Sequence, residues 1–171
     1  MINIGIIGTG FGEKIHLPGF QKIKGARVLA IAGRDVGKTK ELAKKYTVPL
    51  VFKNWKELIR HPKIQAVSIA TPPYLHAPMV LEAIRAGKHV FCEKPLALNA
   101  KEAERMLQAA DKAKIRHAVD FEFRESPHFK FFKELISQKR IGKLRYISIS
   151  WLTGGRRNLT VPYGWQNSAR L

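Results

Sequence analysis

Three short stretches carry side chains and glycines of the kind that do chemistry. The first, Gly8-Thr9-Gly10-Phe11-Gly12-Glu13, joins an apolar run at 2–7 to a helical pattern. Glycine at 8 permits a tight turn, and glycine at 10 lets the backbone approach an anion lying on a helix N-terminus. The stretch therefore suits the pyrophosphate of a dinucleotide. Glu13 stands where the usual spacing has a third glycine, so its carboxylate must point away from the phosphates or be neutralised, and Gly12 takes over the close packing. A strand-to-helix turn that needs glycine for sterics alone is the competing explanation. The second stretch, Gly33-Arg34, closes the next apolar run, where a carboxylate commonly holds the adenosine ribose hydroxyls. A glycine there leaves room for a 2'-phosphate and a guanidinium offers it a planar charged partner, so NADP is preferred over NAD. Arg34 also fits a solvated residue beside Asp35. The third comprises Thr71-Pro72-Pro73-Tyr74-Leu75-His76 and Phe91-Cys92-Glu93-Lys94-Pro95, each at the end of a later apolar run. A lysine beside a nicotinamide can polarise a substrate oxygen or take part in proton transfer. Taken alone, a lysine before proline is an ordinary solvent-facing residue, and only its location sets Lys94 apart.

These residues need a scaffold that gathers them. Apolar, β-branched runs at 2–7, 27–32, 50–52, 66–70, 88–92 and 117–121 read as strands buried on both faces. Helical patterns fall between them: 36–45 opened by Asp35, 74–86 closed by Gly87, and 99–114 capped by Asn99. In the last of these Ala103, Met106, Leu107 and Ala110 form an apolar stripe. A further helix, 126–138, carries Phe129, Phe132, Leu135 and Ile136. The alternation predicts an α/β fold, a Rossmann-type doubly wound parallel sheet with helices on both faces, whose ligands lie at the carboxyl ends of the strands. Beyond Gly142 the pattern changes. Residues 144–152 alternate polar and apolar, the mark of a strand with one buried face and so the beginning of a second sheet. The expected division is a dinucleotide-binding domain at 1–125 and a linking helix with the stub of a second domain at 126–171. An orphan strand at 144–152 predicts a homo-oligomer or a companion chain paired through its edge.

Composition narrows the alternatives. A chain of 171 residues with 45% hydrophobic content can bury a real core, and its single cysteine, Cys92, cannot form an internal bridge. The apolar runs are far shorter than the roughly 20 residues of a membrane helix. The opening MINIGIIGTG lacks the basic and long apolar regions of a signal peptide, so a cytoplasmic protein is expected. The formal charge of +18 could mean a nucleic-acid partner, but the basic residues are scattered in pairs such as Lys44-Lys45 and Lys139-Arg140. They read as solvated helix faces whose field also favours an anionic cofactor. No metal is expected.

GIIGTGFG with HLPGF, then ATPPYLHAPMVLEAIRAGKHVFCEKPLALNAKEAERML, then FRESPHFKFFKELISQKRIGKL together resemble the glucose-fructose oxidoreductase / inositol dehydrogenase (Gfo/Idh/MocA) family of NAD(P)-dependent oxidoreductases. The tripeptide Glu93-Lys94-Pro95 after GKHV is the most specific mark. The resemblance implies that the loop around Gly8 and Gly10 holds the cofactor pyrophosphate, and that Thr71, Pro72 and His76 lie along the cofactor. It places Glu93 near the nicotinamide ribose and gives Lys94 a part in substrate binding and catalysis. It matches Arg124, with Pro127, to an arginine that either faces the cleft or makes a structural salt bridge. Family members continue into a mostly antiparallel α+β domain, of which the strand at 144–152 would be the first, that builds the substrate pocket and supplies an acid-base histidine. The sequence closes at Ala169-Arg170-Leu171, before that stretch. None of the six histidines occupies that place: His16, His61, His89, His117 and His128 read as helix, loop or strand residues. The expectation is the cofactor half of a sugar or cyclitol oxidoreductase, truncated, with weak or absent turnover alone. A non-catalytic nucleotide-binding module or one subunit of a split enzyme is the alternative.

Overall fold

The computed structural model describes residues 1–150 and 152. Six strands, all parallel, form one sheet in the order β3-β2-β1-β4-β5-β6: β1 (Ile2–Ile7), β2 (Ala26–Ala32), β3 (Leu50–Phe52), β4 (Ala66–Ile69), β5 (His89–Glu93) and β6 (His117–Asp120). Strand β1 is central, so the order reverses beside it and a crevice opens between the carboxyl ends of β1 and β4. The helices are α1 (Leu17–Gln21), entered through a single π turn at Gly12–His16, α2 (Val36–Lys45), α3 (Trp55–Arg60), α4 (His76–Arg85) and α5 (Ala100–Ala113).

Residues on the two faces of the sheet feed two cores. Ile4 and Ile6 of β1 join Leu17, Val28, Ile31, Leu42 and Val48 beneath α1 and α2. Ile7 joins Leu58, Ile59, Val67, Ile69, Met79, Ala83 and Met106 beneath α3, α4 and α5. Each fully buried Ile or Leu in these layers contributes about 1.5–3 kcal/mol. This is the doubly wound sheet with helices on both faces that the strand-helix alternation predicts. Local chemistry agrees with it: Asp35 accepts from the Lys38 N–H (3.0 Å), Asn99 from the Glu102 N–H (2.9 Å), and Gly87 takes φ +68° at the close of α4.

Four details differ from the sequence reading. Helix α3 carries no strong period because it has only six residues, although Asn54 caps it by accepting from the Lys56 N–H (2.9 Å). The region 74–86 starts as a 3-10 turn, Pro73–Leu75, before α4 begins at His76. The buried stripe of α5 is Met106 and Ala110, whereas Leu107 is half exposed because it sits one position round the helix from the sheet. Finally, the expected strand 144–152 is not formed: residues 144–150 and 152 belong to no ladder, and Trp151 lies outside the described residues. An alternating segment becomes a strand only against a partner edge, and residues 144–150 pair with none among the described residues.

The chain divides into two compact units, Met1–Asp120 and Phe121–Leu171. In the second, a 3-10 turn at Glu122–Glu125 leads into α6 (Pro127–Ser137), with the Phe123 and Phe129 rings 6.2 Å apart.

Candidate active site

Because every strand is parallel, the loops after β1, β2, β4 and β5 emerge at one edge. Backbone hydrogen bonds extend the sheet to that edge: Gly8 N–H donates to the Ala32 carbonyl (2.9 Å) and Ala70 N–H to the Ile7 carbonyl (2.8 Å).

The glycines of the first loop have different reasons to be glycine. Gly8 has φ +113°, and a methyl on it would run into the Ala70 carbonyl, so the turn and its closeness to β4 both require glycine. A Cβ on Gly12 would lie 3.1 Å from Ile6 Cγ2, which makes Gly12 the point of close helix-strand packing. Gly10 is unlike either: nothing lies within 4 Å of where its Cβ would be. The protein's own packing does not demand a glycine there, and a bare backbone facing open space beside the following helical turn is a cradle that fits a pyrophosphate. Thr9 turns its side chain toward β2 and Phe11 is exposed at the loop's rim. Glu13 is answered by two ammonium groups, Lys38 Nζ and Lys45 Nζ, each 3.8 Å from its carboxylate.

At the end of β2 a Cβ on Gly33 would meet Thr39 Oγ1 (2.5 Å) and Thr9 Cγ2 (2.6 Å). The room expected beside Gly33 is therefore filled by Thr9 and Thr39, and packing of the first loop against α2 is what requires glycine at 33. Arg34, next along, is exposed.

On the other side of β1, the loop after β4 is stitched to the corner after β5 by one buried ring. His76 has no exposed surface; its Nε2 lies 2.8 Å from the Thr71 carbonyl oxygen and its Nδ1 2.9 Å from the Pro95 carbonyl oxygen. Both ring nitrogens are thus engaged with backbone, and the ring ties the two loops together. The Thr71 hydroxyl donates to Met79 Sδ (3.6 Å), which turns that side chain toward α4 and leaves the Thr71-Pro72 backbone along the crevice. Lys94 is exposed at the corner, immediately beyond β5. Its backbone N–H donates to Glu93 Oε2 (3.1 Å).

Glu93 itself is the last residue of β5, 9% exposed, and its Oε1 lies 2.9 Å from His16 Nε2. His16 Nδ1 is 2.6 Å from Ser68 Oγ on β4, and Asp120 Oδ2 at the end of β6 is 3.6 Å from the same Nε2. These four polar groups, from four different elements, escaped the sequence reading apart from Glu93. One signal was available: Ser68 is the lone polar residue in the strand AVSIA, and a hydroxyl buried between two apolar layers needs a partner. His16, Glu93 and Asp120 bring three potential metal-ligand atoms within 4.8 Å of one another. The 2.9 Å contact is an ordinary hydrogen-bond length that one proton satisfies. Arg124 belongs to the second unit, on its 3-10 turn.

Comparison with known proteins identifies the family. Residues 2–121 match the model of an oxidoreductase family with an NAD-binding Rossmann fold, GFO_IDH_MocA. An uncharacterized oxidoreductase of Synechocystis is 38% identical over 164 residues, 96% of this chain and 44% of that protein. Myo-inositol 2-dehydrogenase of Thermotoga maritima is 33% identical over 87% of this chain and 45% of its own length. The scyllo-inositol dehydrogenase of Lactobacillus casei, solved with bound NAD(H) and scyllo-inositol, superposes with a TM-score of 0.79 at 30% identity, covering 83% of this chain and 42% of that one. The chain thus spans less than half the length of each of these relatives. The bare backbone at Gly10, the threonine-proline loop and the Glu93-Lys94-Pro95 corner meet on one edge of a doubly wound sheet, and with the family match over residues 2–121 they show that the chain belongs to the Gfo/Idh/MocA family of oxidoreductases.

Proposed function

We propose that this chain is the cofactor-binding part of an enzyme that exchanges hydride between nicotinamide C4 and a hydroxyl or ketone of a sugar or cyclitol. The observation that carries the reading is Gly10, whose backbone faces open space on the edge that also bears Thr71, Pro72 and Lys94. In this reading the loop Gly8–Gly12 and the N–H groups of the turn after it hold the pyrophosphate. Glu93 lies toward the nicotinamide ribose, and the nicotinamide supplies the hydride when bound. The Lys94 ammonium stabilises charge developing on the substrate oxygen, a role for which an exposed residue at the corner is suitably placed. Arg124 is a second candidate for the substrate side. Arg34, exposed beyond Gly33, pairs with a 2'-phosphate, so NADP is preferred over NAD. Whole-enzyme turnover requires the substrate pocket of a further domain, and residues 1–171 alone turn over weakly or not at all.

Titration of the chain with NADPH and NADH, followed by fluorescence, tests this directly. NADPH should bind about tenfold more tightly, a difference of about 1.4 kcal/mol, and Arg34→Ala should remove the preference. Failure of both dinucleotides to bind would overturn the cofactor reading, and tighter binding of NADH would overturn the choice between them. Rapid NADP-dependent oxidation of a polyol by this chain alone would refute the predicted weakness of turnover.

A second reading, completion by another chain, is favoured by the exposed, unpaired apolar residues Leu144, Tyr146, Ile147 and Ile149. Such a segment accepts a neighbouring strand from a second copy or a companion. Light scattering at high concentration should then find a dimer; a clean monomer argues against pairing through this segment.

A further inference from the structure

We propose that His16 is the positioning residue of the Glu93-Lys94-Pro95 corner. The inference rests on the reading of Lys94 as the group that meets the substrate, and adds the device that sets where Lys94 stands. The Glu93 carboxylate is held at both ends: one oxygen faces His16 Nε2 at 2.9 Å and the other accepts the Lys94 backbone N–H at 3.1 Å. Its orientation, and with it the direction in which the chain leaves β5, is set by the imidazole. The imidazole has little freedom of its own. Its far nitrogen is anchored to Ser68 Oγ at 2.6 Å, its ring packs 5.6 Å from the Phe91 ring and 6.3 Å from that of Phe20, and the residue is 3% exposed. Rotating it would break two hydrogen bonds in a water-excluded site, where unmet polar groups are most costly.

The anchor matters because of where His16 sits in the chain. It closes the π turn that begins at Gly12, directly after the loop proposed to hold the pyrophosphate. The path from the glycine loop through His16 and Glu93 to Lys94 is a run of hydrogen bonds and one helical turn, all inside the first unit. Asp120, in register with Glu93 on β6, brings a second carboxylate to 3.6 Å from the same nitrogen. The ring therefore also keeps two neighbouring acidic groups from facing each other without a donor between them.

The test reads the Lys94 backbone amide, by hydrogen exchange and ¹H–¹⁵N NMR on the 171-residue chain. His16→Leu removes the donor, and Lys94 amide exchange should accelerate about tenfold with a clear change in its chemical shift. His16→Gln, whose amide nitrogen falls near the position of Nε2, should stay within about twofold of the parent. His16→Asn keeps a polar group beside Ser68 but falls short of Glu93, and should behave like His16→Leu even if the leucine variant fails to fold. If Lys94 exchange and shift are unchanged in the folded Leu or Asn variant, the proposal is overturned; if Gln fails to restore them while folding normally, it is overturned too. None of these readouts depends on turnover. A finding that Lys94 is dispensable for catalysis would sink the reading beneath the proposal and leave the measured tie between His16 and the corner intact.

Discussion

Alanine at Gly8 and at Gly10 should separate folding from binding within three residues of chain. At Gly8 the perturbation is double: φ +113° is a conformation that side chains rarely adopt, and the added methyl meets the Ala70 carbonyl on β4. Strained backbone of this kind costs about 1–3 kcal/mol and overpacking about 1–3 kcal/mol more. Gly8→Ala should therefore lose about 2–6 kcal/mol, a fall in Tm of about 4–24 °C for a chain of this size. At Gly10 no protein atom beyond its chain neighbours lies within 4 Å of the new methyl and φ is not left-handed, so the same substitution should move stability by less than about 0.5 kcal/mol. Yet that methyl would occupy the surface against which a pyrophosphate is proposed to lie, and should cost about 1.5–3 kcal/mol of dinucleotide affinity, roughly 10- to 100-fold in Kd. Thermal unfolding followed by tryptophan fluorescence, together with isothermal titration of NADPH, measures both quantities on the same samples. A Gly10→Ala chain that binds within twofold of the parent would refute the cradle. One as destabilised as Gly8→Ala would refute the claim that the fold itself leaves position 10 free.

Two further outcomes follow from buried groups. Burial, with a smaller contribution from the Glu93 carboxylate, pushes the Cys92 thiol up to about 12, against about 8.5 in an unfolded chain. The unfolded state alone loses this proton first, so the contribution to stability is complete below about pH 8.5 and is lost as pH rises toward 12. A thiol reagent at pH 8 should label Cys92 only as fast as the chain opens, and immediate labelling of the native protein would contradict the burial. The Lys88 ammonium, held below the usual lysine range by burial, donates to the carbonyls of Ile64 (2.7 Å) and His61 (3.1 Å) ahead of β5. Lys88→Met should leave both oxygens unmet and cost about 2 kcal/mol, seen as a Tm lowered by about 4–8 °C.

What the sequence disclosed and what it concealed divide along a physical line. The run Val28–Ala32 of β2 is legible because both faces are covered, so its apolar character is unbroken. The caps Asp35 and Asn99 are legible because capping is local. Helix α3 was missed because six residues make fewer than two turns. The glycine loop and the Glu93-Lys94 corner could be placed at one edge because parallel strands all end there. The grouping of His16, Ser68, Glu93 and Asp120 could not, since it depends on side chains from strands and helices far apart in sequence converging on one ring. The alternation at 144–152 indicated a strand, but pairing is a property of two segments, and sequence pattern reports on only one of them.

The position of β1 in the middle of the sheet has an evolutionary consequence. Gly33, Arg34 and Lys38 lie on the β2 wing, whereas His76, Glu93, Lys94 and Asp120 lie on the β4-to-β6 wing. Only the glycine loop and the turn that follows it reach toward both. Under the proposed function, variation on the first wing would retune which dinucleotide is taken without disturbing the hydrogen bonds proposed to place Lys94. Variation on the second would explore new substrates while the adenosine end is left alone. A scaffold partitioned in this way would diversify its two proposed specificities independently.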